Sequence, residues 1–211
     1  MMQMKTDASE CLKSVLDRLK GIDYIKPEDI PNIELYMDQV TTFMDEHLNS
    51  TKRYDSDKIL TKTMINNYAK NDLLPPPVKK KYSKEHMLLL IFIYYFKNIL
   101  SITDIQSLLN PLTDKYFNAK EGLNLQDIYN EVFGFEKEQA DYLMKDIIAE
   151  YKKSSAAFSD APEEDKEFLH LFSFICILSF DVYIKKMLIE KLIDDIPKPE
   201  SKKDAKKDKA K

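Results

Sequence analysis

Pro75, Pro76 and Pro77 stand in a row inside the stretch "MINNYAKNDLLPPPVKKKYSK", residues 64–84, and they dictate how the chain can run there. Each ring fixes φ near −65° and removes a backbone donor, so no helix crosses them and the path is forced to be extended. Upstream, Thr61 to Asn71 has Met64, Ile65 and Tyr68 at helical spacing, which predicts a short helix whose polar side carries Lys62, Asn66, Asn67 and Lys70. Downstream, "VKKKYS" suits the return arm of a small hairpin. Ser83 then caps an apolar helix reaching about Leu100. A helix, a stiffened hairpin and a second helix therefore follow one another within about forty residues.

The rest of the chain reads as helix too. Only three glycines occur in 211 residues, too few for the many turns of a sandwich or a doubly wound sheet, and the expected class is mainly α. Residues 5–20 place Leu12, Val15, Leu16 and Leu19 on one side, with Gly21 as a stop. A helix with Leu35, Met37, Val40, Phe43 and Met44 follows the turn signals at Pro27 and Pro31. "SITDIQSLLN" begins with Ser101 and Asp104 in capping-box spacing. Asn124 to Lys153 reads as one long helix with a break near Gly134, and the last helix runs to about Asp195, with Asp160 as cap and Pro162 in its first turn. The tail after Pro197 is rich in Lys, Asp and Ala and is expected to be disordered.

Two apolar runs, 87–96 and 168–180, fall short of the roughly 18–20 apolar residues that span a bilayer, and both are expected to be buried helices. For the aromatic-rich 168–192 segment two roles stand open: core alone, or core plus a dimer contact. The first residues carry no apolar core of a secretion signal. Cys11 and Cys176 lie far apart without metal-ligand spacing, as free thiols of a reducing cytoplasm would. Net charge is −4, yet residues 51–84 hold nine basic residues against three acidic, and 198–211 hold seven lysines against three acids. Charge sorted in this way fits a localised contact with a polyanion.

Asparagine amides can pair with an adenine edge in the major groove, and lysines reach guanine or phosphate. Lys79, Lys80 and Lys81 on a stiff arm suit the duplex backbone, where each neutralised phosphate releases counterions. Tyr68 and Tyr82 have two readings, packing at the helix–hairpin junction or touching phosphate. Catalysis has little support: His47, His86 and His170 are scattered, and no phosphate-cradling glycine motif or nucleophile elbow occurs. No enzyme activity, metal or cofactor is expected.

The arrangement of Met64 to Tyr68, Leu73-Leu74-Pro75, Lys79 to Tyr82 and the Ser101-Ile102-Thr103-Asp104-Ile105 run with Leu108 and Leu109 resembles the DNA-binding domain of MerR-type regulators over about residues 35–110. The chain departs from that pattern at Asn66-Asn67, where an arginine is usual. It departs again at Asp72 in place of glycine, and in the longer stretch 49–60 between the first two helices. The stretches "PNIELYMDQVTTFMDEHL" and "LTKTMINNYAKNDLLPPP" are also similar to an uncharacterised family of firmicute proteins.

The chain is expected to divide into an N-terminal helix at 1–29, a module at 30–110 that the resemblance makes a winged helix-turn-helix, a helical C-terminal part at 111–196, and the Lys-rich tail at 197–211. The resemblance implies a cytoplasmic, sequence-specific transcription regulator that binds double-stranded DNA through Lys62, Asn66, Asn67, Tyr68, Lys70, Lys79, Lys80, Lys81 and Tyr82. A homodimer would match a palindromic site, and a small-molecule effector is left unnamed. No membrane partner is expected. The competing expectation is a non-enzymatic interaction adaptor that keeps the winged-helix shape without specific DNA binding.

Overall fold

The computed structural model describes residues 8–20 and 24–197. The protein is mainly helical and divides into two compact units. One comprises Ile25–Asn130 with the described residues from Ile189 on; the other comprises the described residues up to Tyr24 with Glu131–Leu188. Gly21, the tail from 198 on and the Cys11 side chain lie outside the described residues.

In the first of these units, β1 (Leu35–Tyr36) leads into α2 (Met37–Leu48), where the Tyr36 N–H donates to Gln39 Oε1 at 2.8 Å. Residues 49–61 connect α2 to α3 (Lys62–Lys70), whose first turn is closed by the Met64 N–H donating to Thr61 Oγ1 at 3.2 Å. The prolines then carry the chain to β2 (Lys81–Tyr82), which pairs antiparallel with β1, Leu35 opposite Tyr82 and Tyr36 opposite Lys81. Pro75, Pro76 and Pro77 in the hairpin's first arm have no donors to give. The ladder therefore forms with a strand some 45 residues upstream, a pairing that nothing in the local sequence foretells.

The apolar run at 87–96 is core, as expected: from Met87 to Tyr94 every side chain of α4 (Lys84–Phe96) is buried. A helix apolar all round needs neighbours all round. α5 (Ile102–Tyr116) and β2 pack on it, and the unit also buries Val40, Met44 and Leu48 of α2, Ile65 of α3, Leu73 and Leu74 after it, and Ile105 and Leu109 of α5. α4 stops at Phe96, a turn short of the expected Leu100. α5 begins on the expected Ser101–Asp104 box, the Asp104 N–H donating to Ser101 Oγ at 3.1 Å, and continues through exposed Pro111 to Tyr116. Solvent can satisfy the carbonyl that the proline leaves without a partner. α6 (Leu125–Gly134) returns to the core through buried Tyr129, whose hydroxyl donates to the Ile25 carbonyl at 2.7 Å and ties the two ends of the unit together.

In the other unit, α1 (Ala8–Lys20) packs on α7 (Glu136–Ser155), and Tyr151 of α7 meets Phe174 of α8 (Glu163–Asp194) edge to face, ring centroids 5.4 Å apart. The expected break in the 124–153 helix falls at Phe135. The expectation of a buried 168–180 helix is corrected: Phe168, Phe172, Ile175 and Phe180 are more than half exposed. One neighbouring helix covers one face, and α8 carries apolar residues on nearly all of its faces. Its 32 residues are also long and apolar enough, by length and composition, to cross a membrane, longer than the 168–180 run alone suggested.

Candidate nucleic-acid interface

α3 turns Ile65 and Tyr68 into the core. With 100° per residue, Lys62, Asn66, Lys70, Thr63 and Asn67 then share one outward arc, in that order round the helix, and all five are exposed. Thr63 has no marker in the sequence beyond its place between Lys70 and Asn67 on the wheel. Lys62 forms an ion pair with Asp38 of α2, and the arc is therefore less positive than its lysine content implies.

The end of α3 is built to turn sharply. The Leu73 N–H donates to the Tyr68 carbonyl at 2.9 Å and the Asp72 N–H to that of Ala69 at 3.4 Å, a Schellman arrangement with Asp72 at φ 54°. That left-handed position is where glycine is favoured, and aspartate is one of the few residues that tolerate it. Leu73 and Leu74 are buried directly after it, so the turn anchors the start of the hairpin arm. The Asn71 carbonyl also accepts from the Gln106 side chain of α5.

The hairpin tip is a two-residue turn. Val78 and Lys81 bridge, the Lys81 N–H donates to the Val78 carbonyl at 3.0 Å, and Lys79 and Lys80 lie at φ 50° and 65°. These are the dihedral signs of a type I′ turn, whose usual occupants are Asn and Gly. A lysine in this region costs roughly 1–2 kcal/mol of backbone strain. Both residues are exposed. Lys81 behaves differently: its ammonium lies 3.7 Å from Glu34 Oε2 and 5.7 Å from the centre of the Tyr36 ring, which fastens the strand pair.

Tyr68 and Tyr82, for which the sequence allows two readings, have their rings in the packing. Both are buried, and burial raises both phenol pKa values. Tyr82 stacks edge-on against His86, centroids 5.5 Å apart, and His86 in turn against Phe117 at 4.9 Å. His86 completes the α4 capping box, with Nδ1 accepting the Ser83 N–H at 3.0 Å. Its Nε2 faces the carbonyls of Pro76 and Pro75 without closing a hydrogen bond of normal geometry. Burial lowers the His86 pKa, opposed by those carbonyls and by Glu34. His86 thus joins α4 to the proline arm, a role with no local signature in the sequence.

The other histidines are used locally. His47 Nδ1 is 2.9 Å from the Phe43 carbonyl, and His170 Nε2 is 2.9 Å from that of Ala157. Among the described residues, no group of three or more His, Cys, Asp or Glu side chains is placed to hold a metal ion.

Comparison with curated proteins and with solved structures finds no match. Residues 25–133 match the family described as DUF1836, a domain of unknown function, and that span nearly coincides with the compact unit that begins at Ile25 and runs to Asn130. More than half of the sequence lies inside the match, and the chain belongs to the DUF1836 family.

Proposed function

We propose that the unit beginning at Ile25 is a winged helix-turn-helix module of MerR-like type, and that the protein is a cytoplasmic, sequence-specific DNA-binding transcription regulator. In this reading α2 and α3 form the helix-turn-helix, and the exposed arc of α3 lies in the major groove. Asn66 and Asn67 read base edges while Lys62 and Lys70 reach guanine or phosphate. The hairpin is the wing, with Lys79 and Lys80 on the backbone.

The observation that carries the reading is the pair of lysines held at left-handed φ on the hairpin tip. A turn optimised for stability would place Asn-Gly there. Strain kept at an exposed position suggests that the two charges are needed where they are. Lys81, engaged with Glu34 and Tyr36, has a structural duty beside any phosphate contact.

A homodimer completes the proposal. Phe168, Phe172, Ile175, Ser179 and Val182 are exposed on α8 at alternating spacings of four and three, the a/d pattern by which two helices pair. A two-fold pair through that stripe would present two modules to a palindromic site.

The second reading, an interaction adaptor without specific DNA binding, draws support from the ion pairs of Lys62 with Asp38 and of Lys81 with Glu34, which lower the net charge of the patch. Selection of genomic fragments at near-physiological salt separates the two. The regulator yields a recurring two-fold site bound at least ~1,000-fold more tightly than random duplex. The adaptor yields only weak, salt-labile attachment to any duplex.

A further inference from the structure

The DNA reading uses α3 and the wing but leaves the 49–61 connection without a purpose. This connection folds against the C-terminal end of α4 around a cavity of about 310 Å3, near the lower end of the roughly 300–1,000 Å3 typical of ligand sites. Lys52, Arg53, Lys58 and Lys97 all line it, against a single carboxylate, Asp57. That carboxylate is already engaged, its Oδ2 accepting the Tyr54 N–H at 3.0 Å.

The cations differ in how they are held. Lys97 is partly buried. Its ammonium donates to the Ile59 carbonyl at 2.6 Å and stands 5.0 Å from the centre of the Tyr94 ring, and burial lowers its pKa. The Tyr94 hydroxyl is itself fixed by a hydrogen bond with Thr51 Oγ1. Lys52 is paired with Asp45 at 2.7 Å. Arg53 and Lys58 are exposed and reach in from the connection. One lysine would suffice to balance the carbonyls at the end of α4. Four cations around one cavity, beside the Asn98 amide, exceed that need and match the donors a phosphate uses.

We propose that this cavity binds the phosphoryl group of a small ligand. Lys97 is the pre-placed charge at its floor, and Arg53 and Lys58 close over the anion. A phosphoryl oxygen could come from a free metabolite or from a DNA backbone. The free ligand is favoured because His86, which touches the wing arm, lies in the first turn of α4 and Lys97 caps its far end. Eleven residues of helix separate them, about 16 Å at 1.5 Å per residue. If the DNA reading also holds, the cavity is a candidate effector site, but it does not depend on that reading.

The test is amide-resolved NMR on the full chain titrated with inorganic phosphate and, separately, ribose 5-phosphate, with sodium chloride at matched ionic strength as control. Saturable shifts confined to residues 51–59 and 94–98 are expected with the phosphates and not with chloride. The Arg53→Ala/Lys58→Ala variant, changed only at exposed positions, should weaken the apparent affinity at least tenfold. A parallel titration with duplex DNA identifies the source: movement of the same amides with duplex alone overturns the small-ligand proposal and makes the DNA backbone the occupant. No saturable shift with phosphate, ribose 5-phosphate or duplex overturns the proposal, and so does a phosphate response unchanged in the double variant. Duplex binding mapped to α3 and the wing is scored separately, so either reading can fail alone.

Discussion

Asp72 occupies the left-handed C-terminal position of α3, and replacing it with glycine removes steric strain worth about 1 kcal/mol. Asp72→Gly should therefore raise the urea midpoint without changing the slope of the transition. His86 carries a pH dependence. Its folded pKa lies below the ordinary 6.5, so the unfolded chain takes up the proton first as pH falls. Stability is then lost progressively from about pH 6.5 downward. The groups facing the ring are Ser83, Tyr82, Phe117, Glu34 and the two proline carbonyls. Glutamine is a usual third residue of a capping box, so His86→Gln keeps the box and removes the titration. Urea midpoints measured between pH 7.5 and 5.5 should fall for the natural protein and stay flatter for the variant. Residue roles were legible where the partner is three positions away, as with Ser101 and Asp104. They were not legible for His86, whose neighbours at Pro75, Pro76 and Phe117 come from other parts of the chain.

Among the elements, the wing separates stability from binding more cleanly than any other. Changing Lys79→Asn together with Lys80→Gly places the preferred residues in a type I′ turn and should stabilise the protein by about 1 kcal/mol or more. If the two lysines neutralise phosphates, the same change weakens duplex binding. It also lowers the slope of log affinity against log salt by about 2, close to one unit for each lysine removed. A thermal melt and a salt titration of duplex binding, made on one sample, would read both. Asn66→Ala should act otherwise, eroding discrimination between sites at nearly constant salt slope. α2 and α3 could be read from apolar spacing, and α4 from its Ser83 cap and its apolar run, because those signals are local. The pairing of β1 with β2 could not, since two-residue strands show no alternation and their partners lie far apart in sequence. Nor could the exposure of α8: composition says that a helix is apolar on every side, not how many neighbours the fold supplies.

At the scale of the whole molecule, the uncovered side of α8 is the most conspicuous surface. Monomeric proteins seldom leave so continuous an apolar strip in water. Association through it should make the sedimentation coefficient rise with concentration, and Ile175→Glu, at the middle of the strip, should return the protein to monomer. A protein inclined to self-associate is exposed to a second hazard, the open edge of its small sheet, where unpaired N–H and C=O groups can recruit a foreign strand. Here the arm beside β2 consists of Pro75, Pro76 and Pro77, which have no N–H to offer a newcomer. Runaway stacking of one molecule on the next is thereby discouraged at that edge. Whatever binds the hairpin must engage it through side chains rather than by adding to its backbone ladder.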